Sequence, residues 1–405
     1  MVHINLMRKI DFWIGTPLCF ILTVLYKMTR LIGLRSPKGA PKNILFIELG
    51  EMGSSIVSYP ALREIKKLFP GANVYFLIFK EIKDSVHLLR TLPADHVLTI
   101  RSKSILGLVI DTIKFPFIAR RCGIDTVVDL EFFSRYSAIL TYLSGAKRSS
   151  GFHRFNIEGM YRGNLYTHKV QFNPYVHTAA MYLSLVLALT AAPNQVPMLK
   201  RPMDDFDLRL PKRALSAERK KNIFEKLRVH NEDINEKSKL VLLNPNSSFL
   251  ITLRRWPLDN YAMLAKKILQ DKNAYVVVTG IKSEKSNAVY IKNYVQSDRC
   301  IDLAGETTLE ELVDLYNVAD VLVTNDSGPA QFAALTDIKI IVFFGPETPV
   351  RFKPLSENVD VLYSNFACSP CVSPFNQLNS ACKDNRCLKV ISVDEVYKKV
   401  ISKLR

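Results

Sequence analysis

Two runs of alternating strands and helices dominate this chain, and the repetition restricts it to a parallel-sheet α/β architecture. The first run begins after Pro41 with the apolar segment NILFIEL (residues 43–49), and the helical pattern that follows ends at Pro70. The second run begins with KLVLLNPN (residues 239–246) and repeats the same order of elements. Continuous apolar strands separated by helices are typical of parallel sheets covered on both faces. We therefore predict two doubly wound, Rossmann-like domains that face one another across a cleft.

The length of 405 residues also supports two domains, because a single hydrophobic core rarely grows beyond about 300 residues. A proline-containing and highly charged stretch between the two runs is interpreted as their connection. Five segments are predicted: a membrane-anchoring helix with its basic flank, an N-terminal domain, a linker region, a C-terminal domain and a closing helix. Their predicted boundaries are residues 1–40, 41–200, 201–236, 237–390 and 391–405.

The N-terminal segment contains an uncharged apolar stretch between basic flanks. Fifteen residues from Phe12 to Tyr26 carry no charge, and Arg8 and Lys9 precede them. Because roughly 20 residues span a bilayer, a short or tilted spanning helix and a helix lying in the interface are both open. A cleaved signal peptide is disfavoured, since Asp11 precedes the stretch and no small-residue cleavage site follows. The larger number of basic residues after the stretch predicts an inner-membrane location with the globular body on the cytoplasmic side.

The charge balance favours an anionic partner. Basic residues outnumber acidic ones by 55 to 38, which gives a formal charge of +17. Nucleic acid, anionic lipid and phosphorylated glycan could each match this charge. Nucleic acid is the least favoured, because the sequence has no zinc-finger spacing, RNA-recognition signature or arginine-rich recognition segment. We predict an anionic membrane surface as a partner and no nucleic acid.

Polar loops after strands are the candidate sites, since ligands of open α/β sheets bind outside the carboxyl ends of the strands. The first such loop is ELGEMGSS (residues 48–55), in which Gly50 and Gly53 permit a tight turn and a helix begins near Ser54. The carboxylate of Glu51 could accept a proton from an acceptor hydroxyl. An ordinary turn residue, or a charge that stabilises the helix start, is the competing interpretation.

The second candidate loop is NPNSSFLITLRRWP (residues 244–257), after the first strand of the second run. Ser247 and Ser248 offer hydroxyls, and the guanidinium groups of Arg254 and Arg255 suit phosphate oxygens through paired hydrogen bonds. A solvated arginine pair is the alternative. The position after a strand favours phosphate binding.

The third loop, TNDSGPAQ (residues 324–331), supplies Ser327, Gly328 and a helix N-terminus, where a diphosphate can approach backbone N–H groups. Asp326 either bonds a sugar hydroxyl or caps the helix. A fourth loop, FFGPETP (residues 343–349), is expected to border the same pocket or to act only through its conformation.

Four cysteines, Cys368, Cys371, Cys382 and Cys387, lie within a stretch of 20 residues. This spacing allows a structural zinc ion or disulfides, although it differs from a standard zinc ribbon. In a cytoplasmic body, zinc or free thiols are favoured over disulfides. A catalytic metal is not expected here, because four thiolates leave no open coordination position.

Three segments, taken together, resemble the heptosyltransferase family, glycosyltransferase family 9, which joins ADP-heptose to the lipopolysaccharide core. They are NILFIELGEMGSS from residue 43, LLNPNSSFLITLRRWP from residue 242 and NVADVLVTNDSGPAQFAALTDIKIIVFFGPETPVRF from residue 317. The resemblance implies a GT-B fold, with the acceptor bound by the N-terminal domain and the nucleotide sugar by the C-terminal domain. It also implies an inverting transfer that requires no metal or other cofactor. ADP-heptose is the expected donor, and a lipid-linked or lipopolysaccharide-type glycan is the expected acceptor.

The resemblance further implies roles for the loop residues. By matching position, residues 326–328 would hold the sugar and the diphosphate. Arg254 would stand where the family commonly has a lysine for the phosphates, with Ser247 and Ser248 beside it.

Two positions depart from the family pattern. Many heptosyltransferases have Gly-Asp where this chain has Gly53 and Ser54, and that aspartate is the proposed base. Serine cannot take this role unaided, so Glu51 is the predicted general base, while Glu48 is less suited because it falls within the strand. Gln331 stands where the family often has histidine, and it can hydrogen-bond a donor without carrying charge. Two alternatives therefore stand beside heptose transfer: a hexose or N-acetylhexosamine donor, and a non-catalytic membrane scaffold.

Overall fold

The computed structural model describes residues 4–31, 39–156, 158–193, 195, 199–200, 202–203, 206–247 and 251–404. The chain forms two compact units. The first unit contains Met1–Leu208 and Pro374–Leu378, and the second contains Arg209–Ser373 and Asn379–Arg405. The division falls inside the predicted linker region, of which residues 209–236 belong to the second unit.

A parallel six-stranded sheet forms the centre of the first unit. Its strands are β1 (Asn43–Ile47), β2 (Asn73–Phe79), β3 (Val97–Ile100), β4 (Thr126–Asp129), β5 (Arg148–His153) and β6 (His168–Gln171). Their order in the sheet is β3-β2-β1-β4-β5-β6. The order reverses between β1 and β4, which makes their carboxyl ends a topological switch point, where ligands of such sheets bind.

Helices cover both faces of this sheet. Those that the structure describes are α1 (Ile4–Trp13), α2 (Gly15–Leu31), α3 (Met52–Val57), α4 (Tyr59–Leu68), α5 (Asp84–His87), α6 (Ile105–Arg121), α7 (Arg135–Leu143) and α8 (Thr178–Ala188). Right-handed crossovers place the helices that follow β1 and β2 on one face, and those that follow β3 and β4 on the other.

The second unit repeats this topology. Its strands are β7 (Lys239–Asn244), β8 (Ala274–Val278), β9 (Cys300–Asp302), β10 (Val321–Asn325), β11 (Lys339–Phe344) and β12 (Val359–Tyr363). They are arranged in the order β12-β11-β10-β7-β8-β9, with the switch point between β7 and β10. The described helices are α9 (Ala217–Arg228), α10 (Leu258–Ile268), α11 (Lys285–Val295), α12 (Leu309–Val318), α13 (Gly328–Ala333), α14 (Pro349–Phe352), α15 (Arg386–Lys389) and α16 (Val393–Leu404). The prediction of two doubly wound α/β domains is confirmed.

Trp256 packs at the centre of the second core and fixes the chain that leads into α10. Its ring is 1% exposed and stacks on Phe343, with 4.7 Å between ring centroids, while the ring of Tyr261 meets it edge-on at 5.0 Å. The indole N–H donates to the carbonyl oxygen of Ile391 at 3.0 Å. An aromatic side chain buried in this way contributes about 2 kcal/mol or more to folding. The preceding loop is thereby anchored on its C-terminal side.

The predicted N-terminal apolar helix is observed as two consecutive helices, α1 and α2. The segment Leu6–Thr29 is long and apolar enough to cross a membrane, by length and composition alone. One stripe of α2, made of Cys19, Leu22 and Tyr26, is buried in a hydrophobic cluster of the first unit. These helices are therefore part of the folded unit.

Candidate functional site

Asn325, at the end of β10, joins two of the predicted donor loops. Its side-chain oxygen accepts the backbone N–H of Trp256 at 2.8 Å. Its Nδ2 donates to the carbonyl oxygens of Pro245 and Asn246 at 3.0 and 3.1 Å. Since β7, β10 and β11 are neighbours in the sheet, the loops after them meet at one edge. The buried amide holds the second and third loops together there.

Arg254 lies against two carboxylates at this edge. Its Nε is 3.3 Å from Oδ2 of Asp326, and its Nη2 is 3.6 Å from Oε2 of Glu347. None of the three side chains is more than 8% exposed. Charges withdrawn from water in this way interact more strongly than charges at the surface. The structure thus brings together Arg254 and Asp326, which the sequence analysis assigned to the donor.

Glu347 is a member of this cluster that the sequence analysis did not single out. Its Oε2 accepts a hydrogen bond from Nη2 of Arg351 at 2.5 Å. Burial raises the pKa of Glu347, and the guanidinium groups of Arg351 and Arg254 oppose the shift. The fourth loop therefore contributes a charged side chain as well as a turn. An acidic residue directly after the Gly-Pro turn at a strand end is the signal from which it could have been found.

Arg255 contacts the loop backbone, in contrast to Arg254. Its Nε donates to the hydroxyl of Ser247 at 3.3 Å, and its Nη2 donates to the carbonyl oxygen of Ser247 at 3.0 Å. The buried Ser247 hydroxyl in turn donates to the carbonyl oxygen of Ile251 at 3.3 Å. Arg255 and Ser247 thus shape the loop, and contact between Ser247 and a donor stays a prediction. Ser248 lies outside the described residues.

The third loop leads into α13, a helix of six residues that begins at Gly328. Ser327 occupies its N-cap position without accepting a cap hydrogen bond, and the Ser327 hydroxyl donates to the carbonyl oxygen of Asn325 at 3.1 Å. The carboxylate of Asp326 faces Arg254 rather than the helix start. Asp326 was predicted either to cap this helix or to bond a sugar hydroxyl. Its position against Arg254 disfavours the cap, and contact with a sugar hydroxyl stays a prediction.

Gln331 lies inside α13 and is buried. Its Nε2 donates to the carbonyl oxygen of Phe352 at 2.8 Å, which ties α13 to α14. Among the described residues, its Oε1 has no hydrogen-bond partner. A buried acceptor without a partner is costly. Contact between Gln331 and a donor stays a prediction.

In the first unit, the predicted general base Glu51 lies just beyond the carboxyl end of β1. It is the N-cap residue of α3, with extended backbone (φ −130°, ψ 123°) and no side-chain cap hydrogen bond, and it is half-buried. Gly50 precedes it, whereas Gly53 and Ser54 lie within the first turn of α3. Ser54 is buried, and its side chain lies close to that of Tyr182. The Glu51 carboxylate is thus the side chain of this loop that stands at the helix start without capping it.

Two further carboxyl groups hold the backbone of this loop. Glu48, which is 3% exposed, accepts the N–H of Glu51 at 3.2 Å through Oε1, and Glu131 accepts the N–H of Leu49 at 2.8 Å. Burial raises the pKa of Glu48 well above its ordinary value, and the Glu131 carboxylate adds to that shift. Burial likewise raises the pKa of Glu131 to about 7, against the effect of the Leu49 hydrogen bond. Near neutral pH the carboxyl group of Glu131 is therefore protonated for part of the time.

A buried arginine supports the loop that carries Glu131. Arg162 is 1% exposed and donates through Nη1 to the carbonyl oxygens of Glu131 and Phe132 at 2.6 and 2.8 Å. It also forms an ion pair with Asp129, whose Oδ2 accepts the Tyr166 hydroxyl at 2.5 Å. This network was not predicted from the sequence. Its only local signal is the pair of acidic residues, Asp129 and Glu131, at the end of the segment TVVDLE (residues 126–131). Arg162 comes from a distant loop.

The four clustered cysteines line a single cavity of about 140 Å³ in the second unit. All four are free thiols. Burial raises the pKa of Cys387, and the neighbouring thiols add to that shift. Within the described part of the chain, no group of three or more His, Cys, Asp or Glu side chains is arranged to hold a metal ion. Structural zinc at these cysteines stays a prediction.

Two sheets of identical topology, each with charged loops at its switch point, define a two-domain Rossmann-like protein of the GT-B class. The sequence model of glycosyltransferase family 9 (heptosyltransferase) matches residues 120–381. The chain belongs to this family, which confirms the resemblance found in its sequence.

Individual relatives match shorter stretches. Lipooligosaccharide heptosyltransferase 2 of Campylobacter jejuni is 27% identical over 183 residues, which cover 44% of this chain and 56% of that protein. Lipopolysaccharide heptosyltransferase 2 of Salmonella typhimurium is 36% identical over 111 residues, or 27% of this chain and 32% of that protein. The chain thus spans from about half to a third of the length of these curated relatives.

A solved structure extends the likeness of the fold. The ADP-heptose lps heptosyltransferase II of Escherichia coli superposes with a TM-score of 0.68 at 19% identity, covering 89% of this chain and 98% of that one. At this identity the likeness concerns the fold alone.

Proposed function

We propose that this chain is an inverting, metal-independent glycosyltransferase that moves heptose from ADP-heptose to a lipid-linked or lipopolysaccharide-type glycan. The observation that carries the proposal is the buried cluster of Arg254, Asp326 and Glu347 at the switch point of the second unit. Family membership and the names of the relatives support heptose as the sugar and ADP-heptose as the donor.

The donor end of the reaction requires stabilisation of a departing nucleotide diphosphate. Arg254 can supply a delocalised positive charge and a planar set of donors that suits phosphate oxygens. Asp326 and Glu347 contact the guanidinium at Nε and Nη2, and Arg351 neutralises Glu347 at 2.5 Å. A preorganised cation of this kind performs the task that a metal ion performs in other transferases.

The acceptor end requires a base for the attacking hydroxyl. Glu51 is half-buried at the switch point of the first unit, where an acceptor can reach its carboxylate. Its backbone N–H is held by Glu48, and the preceding turn is held by Glu131. We assign general-base catalysis to Glu51 and positioning of its loop to the other two carboxyl groups.

Attachment to an anionic membrane would place this chemistry beside its acceptor. The N-terminal helices carry the apolar surface, and the formal charge of +17 attracts anionic headgroups. We propose that the enzyme acts on the cytoplasmic side of the inner membrane, where a lipid-linked glycan would be presented.

The test is a donor screen with the purified protein. We expect ADP and ADP-heptose to raise the thermal unfolding temperature saturably, whereas UDP, GDP and CMP do not, because a ligand of the folded state must stabilise it. Incubation with ADP-heptose and a lipopolysaccharide-type acceptor should then add the mass of one heptose. A saturable shift with another nucleotide would transfer the assignment to a hexose or N-acetylhexosamine donor. Binding without turnover on any acceptor would favour the scaffold.

A further inference from the structure

Helix α6 exposes an apolar stripe on the side that faces away from the core. Its buried residues are Gly107, Phe115 and Ala119. The exposed fraction reaches 71% for Leu106 and 67% for Phe117, and the stripe comprises Leu106, Val109, Ile113 and Phe117. Their spacing of three or four residues places them on one face of the helix. Because the outer side of a helix on a sheet is normally polar, this stripe indicates a contact surface.

Helices α1 and α2 expose a second apolar surface. While Cys19, Leu22 and Tyr26 are buried, the outer side of α2 presents Phe20, Ile21, Val24 and Met28. Trp13, at the junction of the two helices, is 72% exposed.

Both surfaces lie on the same side of the first unit. Since α6 follows β3 and α7 follows β4, right-handed crossovers put both helices on one face of the sheet. Helices α1 and α2 pack against α7 on that face. Tyr136 of α7 links the two groups, because its N–H donates to Asp11 of α1 at 3.1 Å and its hydroxyl is 2.7 Å from that of Thr112 in α6. We call the exposed residues of these three helices the α1–α2–α6 surface.

The charges around this surface are basic. The two acidic side chains of the three helices are both paired with arginine: Asp11 lies 2.9 Å from Arg135, and Asp111 lies 2.7 Å from Arg101. The exposed charged side chains that the structure describes on these helices, or just before α6, are Lys9, Lys27, Arg101, Lys103, Lys114, Arg120 and Arg121. An apolar surface bordered by cations matches an anionic lipid bilayer.

We propose that the α1–α2–α6 surface docks onto an anionic bilayer, with the three helices lying in the plane of the interface. The inference extends the proposed membrane attachment, on which it rests, by making α6 a second membrane element. Two copies of this surface would bring like charges together, whereas anionic headgroups neutralise them. The partner is therefore the lipid surface rather than a second copy of the chain.

Contacts on the inner side of α1 and α2 explain the in-plane orientation. The Asp11–Arg135 ion pair is largely withdrawn from water, with Arg135 3% exposed. The Thr23 hydroxyl accepts the N–H of Asn164 at 2.8 Å. Gly163 approaches α2 so closely that an added Cβ would lie 2.8 Å from the carbonyl oxygen of Cys19. A helix held along its length by a folded domain cannot also be surrounded by lipid.

The first experiment measures vesicle binding of the full chain. Wild type and the variant Leu106→Gln/Ile113→Gln/Phe117→Gln are sedimented with vesicles of phosphatidylcholine alone and of equal parts phosphatidylcholine and phosphatidylglycerol. We expect the variant to bind the anionic vesicles at least about tenfold more weakly than wild type, since three apolar side chains no longer enter the interface. The control Val229→Gln/Tyr290→Gln removes exposed apolar side chains from the second unit and should bind like wild type. Equal thermal unfolding temperatures show that the variants are folded.

The second experiment reports the depth of α6. In a Trp13→Phe background, Phe117→Trp introduces a fluorophore into the stripe, and its emission should shift to the blue on anionic vesicles and be quenched by lipids brominated near the headgroup. Unchanged emission, or wild-type vesicle binding by the triple variant, would overturn the proposal while leaving glycosyl transfer to a soluble acceptor intact. Loss of a dimer in the triple variant, with vesicle binding unaffected, would assign the surface to self-association instead.

Discussion

The guanidinium Nε of Arg254 lies 3.3 Å from the carboxylate Oδ2 of Asp326, across the switch point of the second sheet. The two residues come from different loops, after β7 and after β10, and they meet because those strands are neighbours. The ion pair holds the guanidinium at this edge of the sheet before any ligand arrives. A phosphate-binding arginine held in this way loses little side-chain entropy when it binds.

Replacement of Arg254 tests the diphosphate site. Arg254→Gln should weaken ADP binding by at least about tenfold, or about 1.4 kcal/mol, because the cation is lost. Arg254→Lys should recover much of the affinity, since it restores the charge without the planar donors. Isothermal titration with ADP measures both. Arg386→Gln, at a side chain 77% exposed in the same unit, is the control, and equal affinity in all four proteins would refute the assignment.

Replacement of Glu51 tests the general base. Glu51→Gln should lower kcat by about 10²–10⁴-fold and leave ADP affinity unchanged, because the amide cannot accept the acceptor's proton. Steady-state kinetics with donor and acceptor provide the measurement. Glu158→Gln, an exposed carboxylate of the same unit, should behave like wild type. Full turnover by Glu51→Gln would return the role of base to another group.

The pH dependence of stability tests the environment of Glu131. Burial raises its pKa from 4.5 to about 7, so between these pH values the folded state binds more protons than the unfolded state. The contribution of Glu131 to the free energy of unfolding is therefore fully present below pH 4.5 and is lost as the pH rises to about 7. Glu131→Gln keeps an oxygen for the Leu49 N–H and lacks the titration. Relative to wild type, the free energy of unfolding of Glu131→Gln should rise by up to about 3 kcal/mol as the pH increases across this window.

Urea unfolding at several pH values measures this difference. Glu158→Gln should follow the wild-type curve, because its carboxylate is exposed. If the free energies of unfolding of wild type and Glu131→Gln change with pH in parallel, the Glu131 carboxyl titrates as it does in the unfolded chain, and the prediction is wrong.

Removal of the Asn325 amide should loosen the donor loops. Asn325→Ala leaves three buried backbone groups without their partner, at Pro245, Asn246 and Trp256. A loss of about 3 kcal/mol or more in unfolding free energy is expected, since each buried unsatisfied group costs about 1–3 kcal/mol. Denaturant unfolding measures it, with the exposed Asn358→Ala as control. A loss no larger than that of the control would mean that the loops are held by other contacts.

The clustered cysteines should differ in their rates of alkylation. Cys368 and Cys382 are exposed, whereas Cys387 is buried, and burial raises its pKa. Because the thiolate is the reactive form, Cys387 should react at least about tenfold more slowly than Cys368 or Cys382 under native conditions. Mass spectrometry after timed alkylation follows each site. Protection of all four, relieved by a chelator, would indicate zinc, and protection relieved only by a reductant would indicate disulfides.

Much of the fold could be predicted because its signals are local. The strand KLVLLN is apolar throughout and is buried as β7, and the loop that follows it lies at the sheet edge where parallel topology requires it. Arg254 and Asp326 were identified in the same way, as polar residues after strands. The position of Ser54 was predicted correctly near a helix start, although the helix begins early enough to include Gly53.

Other parts of the site could not be predicted, because they depend on residues far apart in the chain. Glu347 joins the site through its contacts with Arg254 and Arg351, and Arg254 lies in another loop. Glu131 acts through the N–H of Leu49 and is supported by Arg162 from beyond β5. The amide of Gln331 could be foreseen as a hydrogen-bonding group, whereas its bond to Phe352 could not.

The sequence by itself determined two doubly wound units, the loops that bear polar residues, and membership of a glycosyltransferase family. Hydrophobic periodicity and turn chemistry are encoded within short windows, so these features can be derived from the chain alone. Only the tertiary structure decided which of two adjacent arginines meets Asp326 and which side chains of α6 are left exposed. Both outcomes depend on how strands are ordered and how helices pack, and these arrangements are set by contacts between distant segments that no local pattern records.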